Sequence, residues 1–151
     1  MGMARVDVAV ETVIHRRRPE VAAYAADPDN APAWYVNIKG VQWKTPRPLE
    51  LGSQFEFTAA FLGRTLRYTY EVVEFEPDRR FVMRTAEGPF PMETTYEWSD
   101  VTTDSTRMTL RNRGEPSGFS AIVAPMMASA MKRANTKDLE LLKEILESDR
   151  A

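Results

Sequence analysis

Three tyrosines, Tyr68, Tyr70 and Tyr96, two threonines, Thr85 and Thr94, and Asn112 sit in alternating stretches of the chain, in phase with apolar residues. Successive side chains of an extended strand point to opposite faces. These hydroxyls and the amide therefore share a face with Phe57, Ala59, Phe61, Met83, Met92, Met108 and Leu110. An apolar surface carrying a few converging polar groups is the composition of a small-molecule site. It is also the composition of an ordinary core whose tyrosines bond to backbone, the commoner fate of an apolar stripe. Among the inward residues only Tyr96 and Asn112 qualify as catalytic candidates. A tyrosine with an unperturbed pKa near 10 is a poor base at neutral pH unless its environment shifts it.

Other chemistries find little support. The single histidine, His15, falls in outward phase at a strand end beside Arg16, Arg17 and Arg18, which points to exposure rather than to a general base. The arginine run could meet an anion, but a solvated strand end is the better reading. There is no cysteine, so thiolate chemistry, disulfides and cysteine metal sites are excluded, and one histidine excludes a multi-histidine site. No Ser-His-Asp set, glycine-rich phosphate loop or metal-ligand spacing is present, so neither metal nor other cofactor is expected. Glu93 and Glu97 fall on the polar face, and no inward carboxylate pair is evident. A formal charge of −2 over 151 residues gives no nucleic-acid footprint. No apolar run is long enough for a membrane span and none near the start reads as a signal peptide, so a cytoplasmic location is expected.

The elements that would position these groups follow from periodicity. Val6 to Ile14 is a β-branched, alternating strand. Two short helices follow, Pro19 to Ala26 and Ala31 to Tyr35, broken by Asp27-Pro28-Asp29-Asn30. Strands are then expected at Val41 to Thr45, Gln54 to Leu62, Thr65 to Phe75, Arg80 to Ala86, Met92 to Ser99 and Thr106 to Arg113, joined by turns such as Gly63-Arg64 and Pro77-Asp78. With the aromatic residues inward, the outward charges alternate in sign between strands: Arg80 and Arg84, then Glu93 and Glu97, then Arg107 and Arg111, with Asp7 and Glu11 continuing the series if the first strand pairs with the last. Opposite charges on neighbouring strands support pairing. The result is an antiparallel meander with one wet face and one apolar face.

That apolar face needs a cover. Phe119 to Glu147 carries apolar residues at helical spacing and is the only segment long enough to supply it. Its first half is soft: Phe119, Val123, Met126, Met127 and Met131 would form a pliable cavity wall opposite Met83, Met92 and Met108, or fill gaps in a core. Its second half, Leu139 to Leu146, should clamp the helix to the sheet. Pro125 either kinks the helix or begins it. Trp34 and Tyr35 on the short helices are placed to gate a cavity. The fold class is α+β: a curved seven-stranded antiparallel sheet gripping a long C-terminal helix, in a single domain over residues 1–151.

This order resembles the START-like, or SRPBCC, helix-grip superfamily of birch-pollen-allergen-like proteins, in particular its polyketide cyclase/dehydrase branch. The resembling stretches are Val8-Ala9-Val10-Glu11-Thr12-Val13-Ile14, Pro19-Glu20-Val21, Asp27-Pro28 with Trp34, Tyr70 to Pro77, Thr106 to Leu110 and Lys137 to Lys143. The resemblance implies a cavity between sheet and helix that holds a hydrophobic small molecule. The expected function is binding of a small hydrophobic or aromatic ligand by Trp34, Tyr35, Phe57, Phe61, Tyr68, Tyr70, Met83, Met92, Thr94, Tyr96, Met108, Asn112, Phe119, Val123, Met126, Met127 and Met131. A polyketide aromatase/cyclase-type enzyme using Tyr96 or Asn112 is the alternative, and a protein-interaction or stress-response adaptor the third. Both a monomer and a homodimer are compatible with this reading.

Overall fold

The computed structural model describes residues 6–61, 63–87, 91–114 and 124–148, without the side chains of Phe61 and Ala124. In chain order these form β1 (Val6–Ile14), α1 (Arg18–Ala26), a 3-10 turn (Pro28–Asn30), α2 (Ala31–Trp34), β2 (Ile38–Trp43), β3 (Gln54–Phe61), β4 (Arg64–Glu76), β5 (Arg80–Glu87), β6 (Met92–Thr102), β7 (Ser105–Gly114) and α3 (Ala124–Ser148). All strands belong to one antiparallel sheet in the order β1-β7-β6-β5-β4-β3-β2. The sheet is curled into a half-barrel around α3, the expected helix-grip architecture.

Register follows the charges. Arg80 stands opposite Glu97 and Arg84 opposite Glu93 across β5 and β6, and each pair is joined. Glu93 also receives Arg113 of β7, and Arg111 reaches Asp7 of β1 at 2.6 Å. Exposed pairs of this kind contribute about 0–1 kcal/mol each. Their larger effect is on alignment, because a one-residue slip would turn every inward residue outward.

The strands depart from the expected bounds where pairing overrides pattern. β2 starts at Ile38, because Ile38 pairs with Ala59 before a register shift at Gly40 breaks the alternation. β6 and β7 run on to Thr102 and Ser105, so the turn between them is shorter than its polar sequence implies. In β4 a bulge between Val72 and Glu74 re-aims the strand. Phe75 therefore meets Phe81 edge-on, at 5.9 Å between ring centres, instead of pointing away. Gly114 answers to close approach: a Cβ there would lie 2.4 Å from the Pro91 carbonyl oxygen.

Helix α3 packs along β1 and against α2. Pro125 lies in its first turn, where a missing N–H costs nothing and no kink is required. Residues 119–123, expected to be helical, lie outside the described residues. The buried stripe of α3 comprises Met127, Met131, Asn135, Asp138, Leu139, Leu142 and Leu146. Its C-terminal half is clamped by polar contacts as well as by leucines. Lys143 Nζ donates to the Val13 carbonyl at 2.6 Å, Arg16 Nη1 to the Leu146 carbonyl at 2.6 Å, and the His15 backbone N–H to Glu147 at 2.9 Å. Arg16 is thus a tether rather than a solvated side chain. Arg18 is another, held by Asp100 and by the Asp78 carbonyl. The His15 side chain is exposed, as its phase implied.

Leu142 is fully buried under this clamp. Leu142→Ala should cost about 2–5 kcal/mol in urea denaturation, as large-to-small changes in packed cores do. A loss below about 1 kcal/mol would show that the stripe is not core.

Candidate functional site

Between the sheet and the middle of α3 lies a cavity of about 120 Å³. Its apolar walls come from Phe57 and Ala59 of β3, Leu66, Tyr68 and Tyr70 of β4, Met83 of β5, Met92 of β6, and Met131 and Ala134 of α3. Ile38, Asn37 and Tyr35 close it from the α2–β2 connection. Its polar wall is Thr94, Asn112, Asn135 and Asp138.

Those four residues form one buried hydrogen-bonded chain. The Thr94 hydroxyl donates to Asn112 Oδ1. Asn112 Nδ2 donates to Asn135 Oδ1 at 2.9 Å, and Asn135 Nδ2 donates to Asp138 Oδ2 at 3.3 Å. The other Asp138 oxygen accepts the Val36 backbone N–H at 2.8 Å. Every donor in the series points toward the carboxylate. β6 and β7 place Thr94 and Asn112 directly opposite each other. Asn135 and Asp138 are three apart on one helix and so share a face. The chain thereby joins sheet, helix and α2–β2 connection through one buried charge.

Asp138 is 2% exposed. Desolvation raises its pKa from 3.8 to about 6, against the opposing pull of the Val36 N–H and the Asn135 amide. Beside it the Tyr35 and Tyr96 hydroxyls share a hydrogen bond of 2.6 Å. Burial pushes both phenols well above their ordinary range, and the nearby Asp138 carboxylate adds to the shift. Tyr70 is pushed up to about 12 by burial, with the Thr94 hydroxyl acting the other way, and burial also raises Tyr68. None of these phenols can serve as a base near neutrality. Among the groups of the cavity wall, Asp138 alone titrates there.

Of the residues singled out in the sequence, Tyr35, Phe57, Tyr68, Tyr70, Met83, Met92, Thr94, Asn112 and Met131 line the cavity. Trp34, Tyr96, Met108 and Met127 do not: all four are buried in the surrounding core. Trp34, 0% exposed with its ring tilted against Tyr35 at 4.2 Å between centres, is therefore no gate. Met126 is corrected outright. It is 71% exposed, one position out of phase with the stripe through Met127 and Met131. Phe119, Val123 and the Phe61 side chain lie outside the described residues. Asn135 and Asp138 are the additions. They occupy the gap between Met131 and Leu142 at helical spacing, and that gap was the available signal: polar residues in phase with an apolar stripe.

The family model described as "Polyketide cyclase / dehydrase and lipid transport" matches residues 5–147. No curated protein matches the chain by sequence. Among solved structures, one from Thermus thermophilus superposes with a TM-score of 0.83 at 17% identity, covering 96% of this chain and 99% of that one. The Zhui aromatase/cyclase from a Streptomyces species gives 0.79 at 13% identity, covering 95% and 94%. A major latex-like protein from Panax ginseng gives 0.73 at 12% identity, covering 93% and 97%. At these identities the likeness is one of fold. No helix among the described residues is long and apolar enough to cross a membrane.

The sign of the Asp138 effect is fixed by its raised pKa. The fold favours the neutral acid, so the contribution is present in full below about pH 4 and is lost as pH rises through about 6. The rise from 3.8 to about 6 corresponds to about 3 kcal/mol. Asp138→Asn cannot ionise. Its stability relative to wild type should therefore climb by about that amount between pH 4 and pH 7.5 in urea titrations, and a difference independent of pH would refute the assignment.

Proposed function

Because the chain belongs to the polyketide cyclase/dehydrase and lipid transport family, we propose that it binds a small, largely apolar or aromatic molecule in the cavity between sheet and α3. The observation that carries this reading is the composition of the cavity wall, largely apolar and aromatic with one hydrogen-bonded polar set, Thr94–Asn112–Asn135–Asp138. Apolar burial supplies affinity at roughly 25 cal/mol per Å², less the cost of ordering. The polar wall supplies orientation. An engineered apolar cavity of about 150 Å³ takes up benzene. The present volume of about 120 Å³ suits one ring or a short branched chain. A larger ligand would bury one end here and leave the rest at the mouth.

One observation favours an aromatase/cyclase-type enzyme as a second reading. Asp138 is a buried carboxyl at the cavity wall whose pKa of about 6 lets it give or take a proton near neutrality. Tyr96, bonded to Tyr35 and absent from the wall, does not fill that role. Asn112 holds the chain instead of meeting a substrate proton.

Ala134 lines the cavity from a half-buried position on α3. Ala134→Phe should fill the space. Titration with single-ring aromatics followed by native mass spectrometry should show binding to wild type and none to the variant, with the melting temperature little changed. Equal binding by both would place the ligand elsewhere. For the enzyme reading, Asp138→Asn should cut turnover of a poly-β-ketone substrate by about a hundredfold or more while the substrate still binds. Unchanged turnover would remove that reading.

A further inference from the structure

A second cleft, of about 450 Å³, lies where α1, the 3-10 turn, the β2–β3 loop and the β4–β5 turn converge. It shares no lining residue with the cavity under α3. A packed layer containing Phe55, Phe81 and Tyr96 stands between the two, with a residual void of only about 10 Å³. That is too little for more than a single water. The larger cleft falls within the roughly 300–1,000 Å³ typical of ligand pockets.

We propose that this cleft is a separate small-molecule site and that it takes a planar aromatic cation. Its contribution from α1 is methyl groups, from Ala22, Ala23 and Ala26, which leave room for a flat body. The half-buried ring of Phe75 lines it as well and offers stacking surface, with the buried Trp98 also in the lining. Trp98 also carries a buried Nε1–H with no hydrogen-bond partner among the described residues.

The charge preference follows from how the lining groups are spent. Arg47 is the one cation among the lining residues, and it is committed. It donates twice to Asp29, at 3.0 Å each, and lies 4.8 Å over the Trp43 ring, whose Nε1 donates to the same carboxylate. No ion pair from a described residue reaches the Asp27 or Asp78 carboxylate, and the Arg47 charge, already paired with Asp29, acts on Asp27 only at longer range. Asp27 accepts only the Asp29 backbone N–H at 3.0 Å, and no hydrogen bond or ion pair from a described residue reaches the Asp78 carboxylate. Arg18 touches the Asp78 carbonyl, but its charge is paired with Asp100 at 3.0 Å. Two partly buried carboxylates beside aromatic rings attract a flat cation and repel a flat anion.

Acridine orange, a planar cation, and 1-anilinonaphthalene-8-sulfonate, an anion, test this by fluorescence titration. Two variants alter the cleft without touching the core. Ala23→Trp fills it from an exposed position. The double change Asp27→Asn with Asp78→Asn removes charge while keeping the turn acceptor at 27 and a residue tolerant of the positive φ of 68° at 78. Acridine orange should bind wild type with one-to-one stoichiometry and quench tryptophan emission. The double variant should weaken it by about tenfold or more. Ala23→Trp should abolish binding, Ala134→Phe should leave it intact, and the anion should bind more weakly than the cation throughout. Should Ala23→Trp fail to fold, the double variant decides. Acridine orange affinity unchanged in the double variant, or lost with Ala134→Phe, would overturn the proposal.

Discussion

A sheet with one apolar face cannot stand in water uncovered, and the arrangement of this protein follows from how that face is closed. Seven strands curl so that Phe55, Phe57, Tyr70, Phe81, Tyr96 and Leu110 point to one side, and a single long helix supplies most of the cover. Burial of this apolar surface is the dominant favourable term in folding. The ion pairs of the outer face add little energy but fix which residues point inward. The helix is secured at its C-terminal half, where Leu142 and Leu146 bury and Lys143 and Arg16 tie helix and chain together. The middle of the helix is thus free to be something other than core.

What it presents there is polar. Asn135 and Asp138 interrupt the apolar stripe and complete a hydrogen-bonded chain that begins on the sheet. Buried polar groups must find partners or destabilise the fold. Here the chain satisfies itself and leaves one face toward the cavity. Its donors run in one direction because its terminus is an acceptor, so its polarity follows from the charge at Asp138. The same carboxylate holds the Val36 N–H, so the connection carrying Tyr35 is fastened by the group that orients the wall.

Much of the frame was legible from residue spacing. Sign alternation supported the order of β5, β6 and β7, and Asp7 and Glu11 continued it on the condition that β1 lay beside β7, as it does. The inward set on β3 to β7 followed from strict alternation. Failures arose where alternation itself breaks. The β4 bulge and the Gly40 shift cannot be read from hydrophobicity, because each adds a residue that belongs to no face. Met126 was misassigned because adjacent methionines hide which one is in phase, and Met127, though in phase, packs beside the cavity rather than on it. Asp138 escaped because an aspartate in a helix is normally a surface residue. Its burial depends on the Val36 N–H, a partner 102 positions away in the chain.

The aromatic layer through Phe55, Phe81 and Tyr96 makes the interior two rooms rather than one. Cleft and cavity share no lining residue, so substitutions such as Ala23→Trp and Ala134→Phe act on different walls. A lineage carrying this fold could therefore remodel one compartment by drift without disturbing the other.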